Sequence, residues 1–190
     1  MTNEGRSELP QGYQWQEVTE LEAAFPKPDE WFYRYEDLLG TRACFITREP
    51  ILADHPFTTR QEFIEGVATG KGFRTGLHLN SFGKVSKRAG VSPTTLAEKA
   101  LTQNPLLIPQ SRLEVTQDRP LLTYRGYFRS GSRLLALKGM PPLHYYIEAT
   151  GNNKTDRIYM IVFETPEELW IEDCILAKVM IENRLLNKDI

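Results

Sequence analysis

Leu143-His144-Tyr145-Tyr146-Ile147-Glu148-Ala149 leads through Thr150-Gly151-Asn152-Asn153-Lys154-Thr155 into Asp156-Arg157-Ile158-Tyr159-Met160-Ile161-Val162-Phe163, and this stretch decides the fold. Two runs rich in β-branched and aromatic residues flank six turn-formers, which is the pattern of an antiparallel hairpin. Upstream the same signature recurs. Leu113-Glu114-Val115 and Leu122 to Arg129 flank the turn Asp118-Arg119-Pro120. Phe73, Thr75, Leu77 and Leu79 alternate with Arg74, Gly76, His78 and Asn80, the period of a strand with two unlike faces. Nearer the amino end, Trp31 to Tyr35 and Thr41 to Thr47 read as a further hairpin, its turn marked by Glu36, Asp37 and Gly40.

Helices are expected at three places. Val18, Leu21, Ala24 and Phe25 fall at helical spacing between Trp15 and Phe25, and Pro26 and Pro28 would end that element. Ser92 to Leu101 carries Ser at the N-cap and Pro93 at the first helical position, a start with a mechanism. From Pro166 to about Leu186, Trp170, Cys174, Ala177, Ile181 and Leu185 share one face, broadened by Leu176, Val179 and Met180. The segment from His55 to Gly72 reads as a loop with one helical turn at Gln61 to Val67. Strands do not alternate with helices in βαβ fashion, which argues against a doubly wound nucleotide-binding sheet. The expectation is α+β: an antiparallel β-sheet of about six strands flanked by helices. Residues 1–12 are expected to form a disordered arm, and 13–190 a single domain.

Composition narrows the function classes. The 190 residues are 41% hydrophobic and 25% charged, which suits a folded globule. Lys plus Arg (23) nearly balances Asp plus Glu (25), so bulk charge recruits neither nucleic acid nor an anionic membrane. The opening MTNEGRSELPQGYQWQE carries Glu4, Glu8 and Pro10 where an export signal needs a basic end and an apolar run. No run approaches the roughly 20 apolar residues that span a bilayer. Cys44 and Cys174 are far apart and form no C-x-x-C pair, so both are expected as free thiols in a reducing, cytoplasmic setting.

Sequence patterns that imitate chemistry fail on detail. Gly66 to Gly72 has one residue too few for a phosphate-binding loop, lacks the Ser or Thr that holds magnesium, and leads into a strand. Ser81-Phe82-Gly83-Lys84 has the S-x-x-K spacing without its companion motifs and reads as a strand-to-loop turn. Asn153-Lys154-Thr155 is a glycosylation sequon that matters only on export. His55, His78 and His144 have no short spacing, so no local metal pair exists and neither metal nor cofactor is expected. The candidate binding surface is the polar side of the strands: Arg74, His78, Asn80, Arg125, Tyr127, His144, Tyr146 and Glu148. The aromatics Trp15, Trp31, Phe32, Tyr33 and Tyr35 are expected to build core.

As a block, Pro28-x-x-Trp31, then Thr41-x-Ala43-x-Phe45-Ile46-Thr47-x-Glu49-x-Ile51, then Phe73-x-Thr75-Gly76-Leu77-x-x-Asn80, resembles the opening strands of the PsbP-like family. Ser92-Pro93 with Ala97-Glu98 resembles its middle helix. Phe163-Glu164-x-Pro166 with Trp170 resembles its last strand and closing helix, so the likeness spans about residues 15 to 188. The resemblance implies an α/β/α sandwich, the fold shared by the extrinsic photosystem II protein and a Ran-binding nuclear factor. It also implies binding or assembly work without common catalytic residues. The targeting segment and lipid-anchored cysteine of photosynthetic members have no counterpart here, so a lumenal role is not expected. The expected function is a non-catalytic binding protein with a protein partner, working through the polar sheet face or the loop 55–72. The alternative is a small-molecule or metal-binding protein, or a weak hydrolase, using His78, His144 and Glu148.

Overall fold

The computed structural model describes residues 7–38, 41–50, 75–130 and 142–187. Arg74, His55, the loop 55–72 with its helical turn, and residues 1–6 of the expected arm lie outside them. Within the rest of that arm, the Gly12 carbonyl accepts from the Asp29 N–H at 3.0 Å.

The strands are β1 (Tyr13–Val18), β2 (Ala23–Pro28), β3 (Phe32–Leu38), β4 (Thr41–Thr47), β5 (Gly76–Gly83), β6 (Leu107–Pro109), β7 (Glu114–Asp118), β8 (Leu121–Ser130), β9 (Leu143–Asn152), β10 (Arg157–Pro166) and β11 (Leu185–Leu186). Helices α1 (Val85–Ala89) and α2 (Pro93–Thr102) follow β5, and α3 (Trp170–Glu182) follows β10. Eight strands form the main sheet in the order β3-β4-β5-β10-β9-β8-β6, with β7 also on β8; β1-β2-β11 form a second, smaller sheet. Every pairing is antiparallel. The sheet is therefore larger than the six strands expected. β6, an edge strand of three residues, had no counterpart in the expectation, because so short a run carries little periodicity.

The expected helix at Trp15–Phe25 is instead strand, 3-10 turn and strand, with Glu22 at φ 46° closing the turn. Its apolar spacing has a different cause. Val18 ends β1, Leu21 sits in the turn, and Ala23 to Phe25 are buried in β2, the middle strand of the small sheet. Pairing with β1 and β11 outweighs the weak intrinsic preference for helix. β11 pairs only with Ala23 and Ala24, so at Pro26 and Pro28 that side of β2 is an edge, where proline is tolerated.

Two cores lie on the two faces of the main sheet. On one, Cys44, Ile46, Leu77, Leu79, Ile161 and Phe163 pack under the small sheet and α3, through Phe25, Ala177 and Met180. On the other, Phe128, Ile147, Ala149, Ile158 and Val162 pack under α1 and α2, through Val85, Ala97 and Leu101. This is the α/β/α sandwich.

Helix α2 starts as its sequence demands: the Ser92 Oγ accepts from the Thr95 N–H at 3.2 Å. The β9-β10 tip docks on that end, where Asn153 Oδ1 accepts from the Thr94 N–H at 3.2 Å and its Nδ2 donates to Thr94 Oγ1 at 3.1 Å. Helix α3 is pinned by Asp173, 1% exposed, which accepts from Thr165 Oγ1 at 2.5 Å and pairs with Arg48 just past β4. Thr165 in turn meets Thr75 Oγ1 at 3.1 Å, and the Arg48 guanidinium stacks 5.5 Å from the Trp31 ring.

Candidate functional site

Register sorts the predicted residues into faces, because directly opposed residues point to the same side. The row Arg125, Glu148, Ile161, Leu79 lies on the α3 side, as does the row Tyr127, Tyr146, Phe163, Leu77. Arg129 and His144 form the next row on that side. Both rows run from apolar residues on β5 and β10, which α3 and the small sheet cover, to polar ones on β9 and β8. Arg125, Tyr127, His144, Tyr146 and Glu148 are thus brought together.

His78 and Asn80 are not. His78 opposes Val162, which opposes Ile147, so His78 and Asn80 belong to the α2 side. There His78 stacks on Phe45 at 5.8 Å, and its Nδ1 meets Asn80 Nδ2 at 3.1 Å. His78, His144 and Glu148 therefore do not converge, which removes the metal version of the alternative reading. Among the described residues no group of three or more His, Cys, Asp or Glu side chains is placed to hold a metal.

Four of the five, Arg125, Tyr127, Tyr146 and Glu148, line two adjoining clefts, and His144 packs against Trp170 beside them. The first, of about 380 Å³, contains Arg125, Glu148, Thr123, Thr150, Arg184 and Glu182. Glu148 is 5% exposed and fully engaged: it accepts from Tyr146 Oη at 3.1 Å and pairs with Arg184. Arg125 Nε donates to Glu114 at 2.8 Å on the neighbouring edge. The second cleft, of about 530 Å³, runs between α3 and strands β8 and β9, lined by Tyr127, Tyr146, Trp170, Cys174, Ile175 and Lys178. Trp170 meets His144 at 5.2 Å and Tyr127 edge-on at 5.9 Å. Next to it Ile171 is 81% exposed and Ile175 66% exposed.

Sequence reasoning missed Arg184, Thr123, Thr150, Ile171 and Ile175. The isoleucines did leave a signal: an apolar i, i+4 pair lying off the face of Trp170, Cys174, Ala177 and Ile181, on a helix with more apolar surface than one face can bury. Nothing in the sequence marks Arg184 as the partner of Glu148, 36 residues away.

Burial pushes the Cys44 thiol up to about 12 and the Tyr146 phenol above its ordinary range, the latter helped by Glu148. On the α2 side, burial lowers His78 to about 4 and raises Glu164 to about 8, while Tyr145, opposite Glu164, is raised by burial and then by the Glu164 charge. The two shifts oppose each other in stability. Unfolded, Glu164 ionises near 4.5, so between 4.5 and about 8 the folded form keeps a proton the unfolded chain has lost, and stability falls as pH rises. His78 ionises near 6.5 when unfolded, so between about 4 and 6.5 the unfolded chain holds the extra proton and stability rises with pH. The slopes offset each other between about 4.5 and 6.5. Urea unfolding is expected to lose on the order of 1–2 kcal/mol between about pH 6.5 and 8. Glu164→Gln should flatten that loss, and an unchanged slope in the variant would refute the assignment.

The fold, then, is an α/β/α sandwich with a half-polar sheet face beside its closing helix. Compared with solved structures, the chain is similar to the solution structure of cyanobacterial PsbP (CyanoP) from Synechocystis sp. PCC 6803, at 12% identity over 94% of each chain with a TM-score of 0.50. It is also similar to the crystal structure of the Saccharomyces cerevisiae Ran-binding protein Mog1p, at 8% identity over 92% of this chain and 95% of that one, with a TM-score of 0.48. The chain has the PsbP-like fold. No protein-family model and no curated protein matches its sequence. No helix among the described residues is long and apolar enough to cross a membrane.

Proposed function

We propose that this protein is a non-catalytic binding protein that holds a protein partner on the surface shared by α3, β8 and β9. One observation carries the reading: an aromatic groove and a polar cleft adjoin along α3, beside two isoleucines left largely exposed. Large exposed aliphatics next to Tyr and Trp are the composition of an interaction hot spot. The fitting partner segment presents an aliphatic or aromatic anchor to Tyr127, Tyr146 and Trp170, and hydrogen-bonding groups to Arg125 and the Thr123 and Thr150 hydroxyls. A catalytic use of Glu148 is disfavoured because Tyr146 and Arg184 already occupy its carboxylate. The reading retains the cytoplasmic setting suggested by free Cys44 and Cys174.

A photocrosslinking side chain at Lys178, followed by mapping of the joined peptides, tests this in cells of the source organism. The wild-type surface is expected to give a reproducible crosslink to one partner segment. Ile171→Glu with Ile175→Glu should reduce it by about tenfold or more while leaving thermal unfolding unchanged, since both side chains are exposed. Absence of any reproducible protein adduct from the wild-type surface would refute the proposal.

A further inference from the structure

We infer that a third cleft, at the end of the sheet where β4, β5 and β10 meet, binds a small phosphate-bearing anion. It measures about 550 Å³ and draws together the cations Arg42, Lys84, Arg88 and Arg157 with the Ser81 and Thr155 hydroxyls. Two carboxylates share the cleft, Asp37 and Asp156. Asp156 is committed elsewhere: it accepts from the Ser86 N–H at 2.9 Å and from Ser86 Oγ at 2.7 Å, holding α1. Asp37 lies 3.7 Å from Arg42 Nε with both side chains about half exposed, a weak pair. Among the described lining residues, four cations against two carboxylates make an excess of two positive charges. A phosphate monoester carries about −1.5 to −2 near neutral pH, so it matches that excess where a single carboxylate does not. Guanidinium forks and hydroxyl donors are the groups that read phosphate oxygens.

The backbone adds a second observation. Lys84 sits at φ 55°, ψ 43°, in the left-handed region that disfavours a lysine side chain, and Asp156 sits at φ 53°, which aspartate tolerates better. The two turns are linked by the Val85 N–H, which donates to the Asp156 carbonyl at 3.2 Å. Strain of this kind concentrates at functional sites. Glycine would occupy position 84 without strain, and what lysine adds there is an ammonium at the rim of the cleft. The Ser81-x-x-Lys84 spacing, unconvincing as a nucleophile motif, thereby gains a different use: a hydroxyl within the cleft and a cation at its edge.

The full chain, labelled with nitrogen-15, is titrated with inorganic phosphate, with pyrophosphate and with citrate at constant ionic strength. Saturable amide shifts are expected at residues 42, 81–84, 88 and 155–157 with the two phosphate probes, and weaker ones with citrate. Arg42→Gln with Arg157→Gln should weaken pyrophosphate binding about tenfold or more, while Lys99→Gln, on the exposed side of α2, leaves it unchanged. Lys84→Gly is the decisive variant, because it should raise the unfolding temperature and at the same time weaken binding several-fold, by about threefold or more. No saturable shift, equal weakening by Lys99→Gln, citrate binding as tight as pyrophosphate, or full affinity in Lys84→Gly would each overturn the assignment.

Discussion

Asp173→Ala is expected to destabilise the protein by about 3 kcal/mol, read as a lowered urea midpoint with an unchanged slope. Asp173 is 1% exposed, and both of its oxygens are used, one by Arg48 and one by Thr165. Removing it leaves the Thr165 hydroxyl, in a fully buried residue, with Thr75 as its one side-chain partner among the described residues. It also leaves the Arg48 guanidinium against Trp31 without its counter-charge. Breaking one side of a buried pair is costly because the remaining group keeps its desolvation. Arg48 is about one-third exposed and can turn to water, which keeps the expected loss at the lower end of the range. Asp173→Asn preserves the shape and the acceptor for Thr165 and should cost about half as much. A loss below about 0.5 kcal/mol for the alanine variant would show that α3 is held by its apolar contacts alone.

The second large effect is expected at Gly151 on β9. A Cβ built there would lie 2.5 Å from the Pro93 carbonyl carbon and oxygen and 2.6 Å from the Thr94 nitrogen. These are backbone atoms at the first turn of α2, so no side-chain rotation can clear them. Gly151→Ala must therefore lift the start of α2 off the sheet, disturbing the Ser92 cap and the Asn153 contacts to Thr94. Overpacking of this kind costs about 3 kcal/mol. Thermal unfolding should register it as a drop of about 6–10 °C, and hydrogen exchange should quicken in α2 before it does in β10. A variant with wild-type stability would mean that α2 is not seated on β9 as described.

Much of this architecture was legible from local pattern. The β9-β10 hairpin follows from two apolar runs around Thr150 to Thr155, and the α2 start follows from Ser92-Pro93, because both signals lie within a few residues of each other. The closing helix was legible over Trp170–Glu182, with Ala177 and Ile181 buried as their spacing implies, whereas Leu185, expected on the same face, pairs in β11. The stretch Trp15–Phe25 was not. Its apolar spacing suits a helix, yet the strands there are stabilised by β11, whose residues lie more than 150 positions further on. Contacts at that separation leave no periodic trace in either segment.

The candidate site divides the same way. Alternation along β8 and β9 identified Arg125, Tyr127, His144, Tyr146 and Glu148 as one polar side, since a strand's two faces differ by residue parity alone. Parity between strands is another matter. Whether His78 shares a face with Glu148 depends on the pairing of β5 with β10 and of β10 with β9, and moving either register by one residue would reverse the answer. The sequence by itself thus determined the strand character of β3 to β5 and β8 to β10, the start of α2 and the polar half of those strands. Only the tertiary structure decided which polar halves meet, which carboxylates are already occupied, and that Arg42, Lys84, Arg88 and Arg157 gather at one end, because those outcomes depend on register and on packing between distant segments.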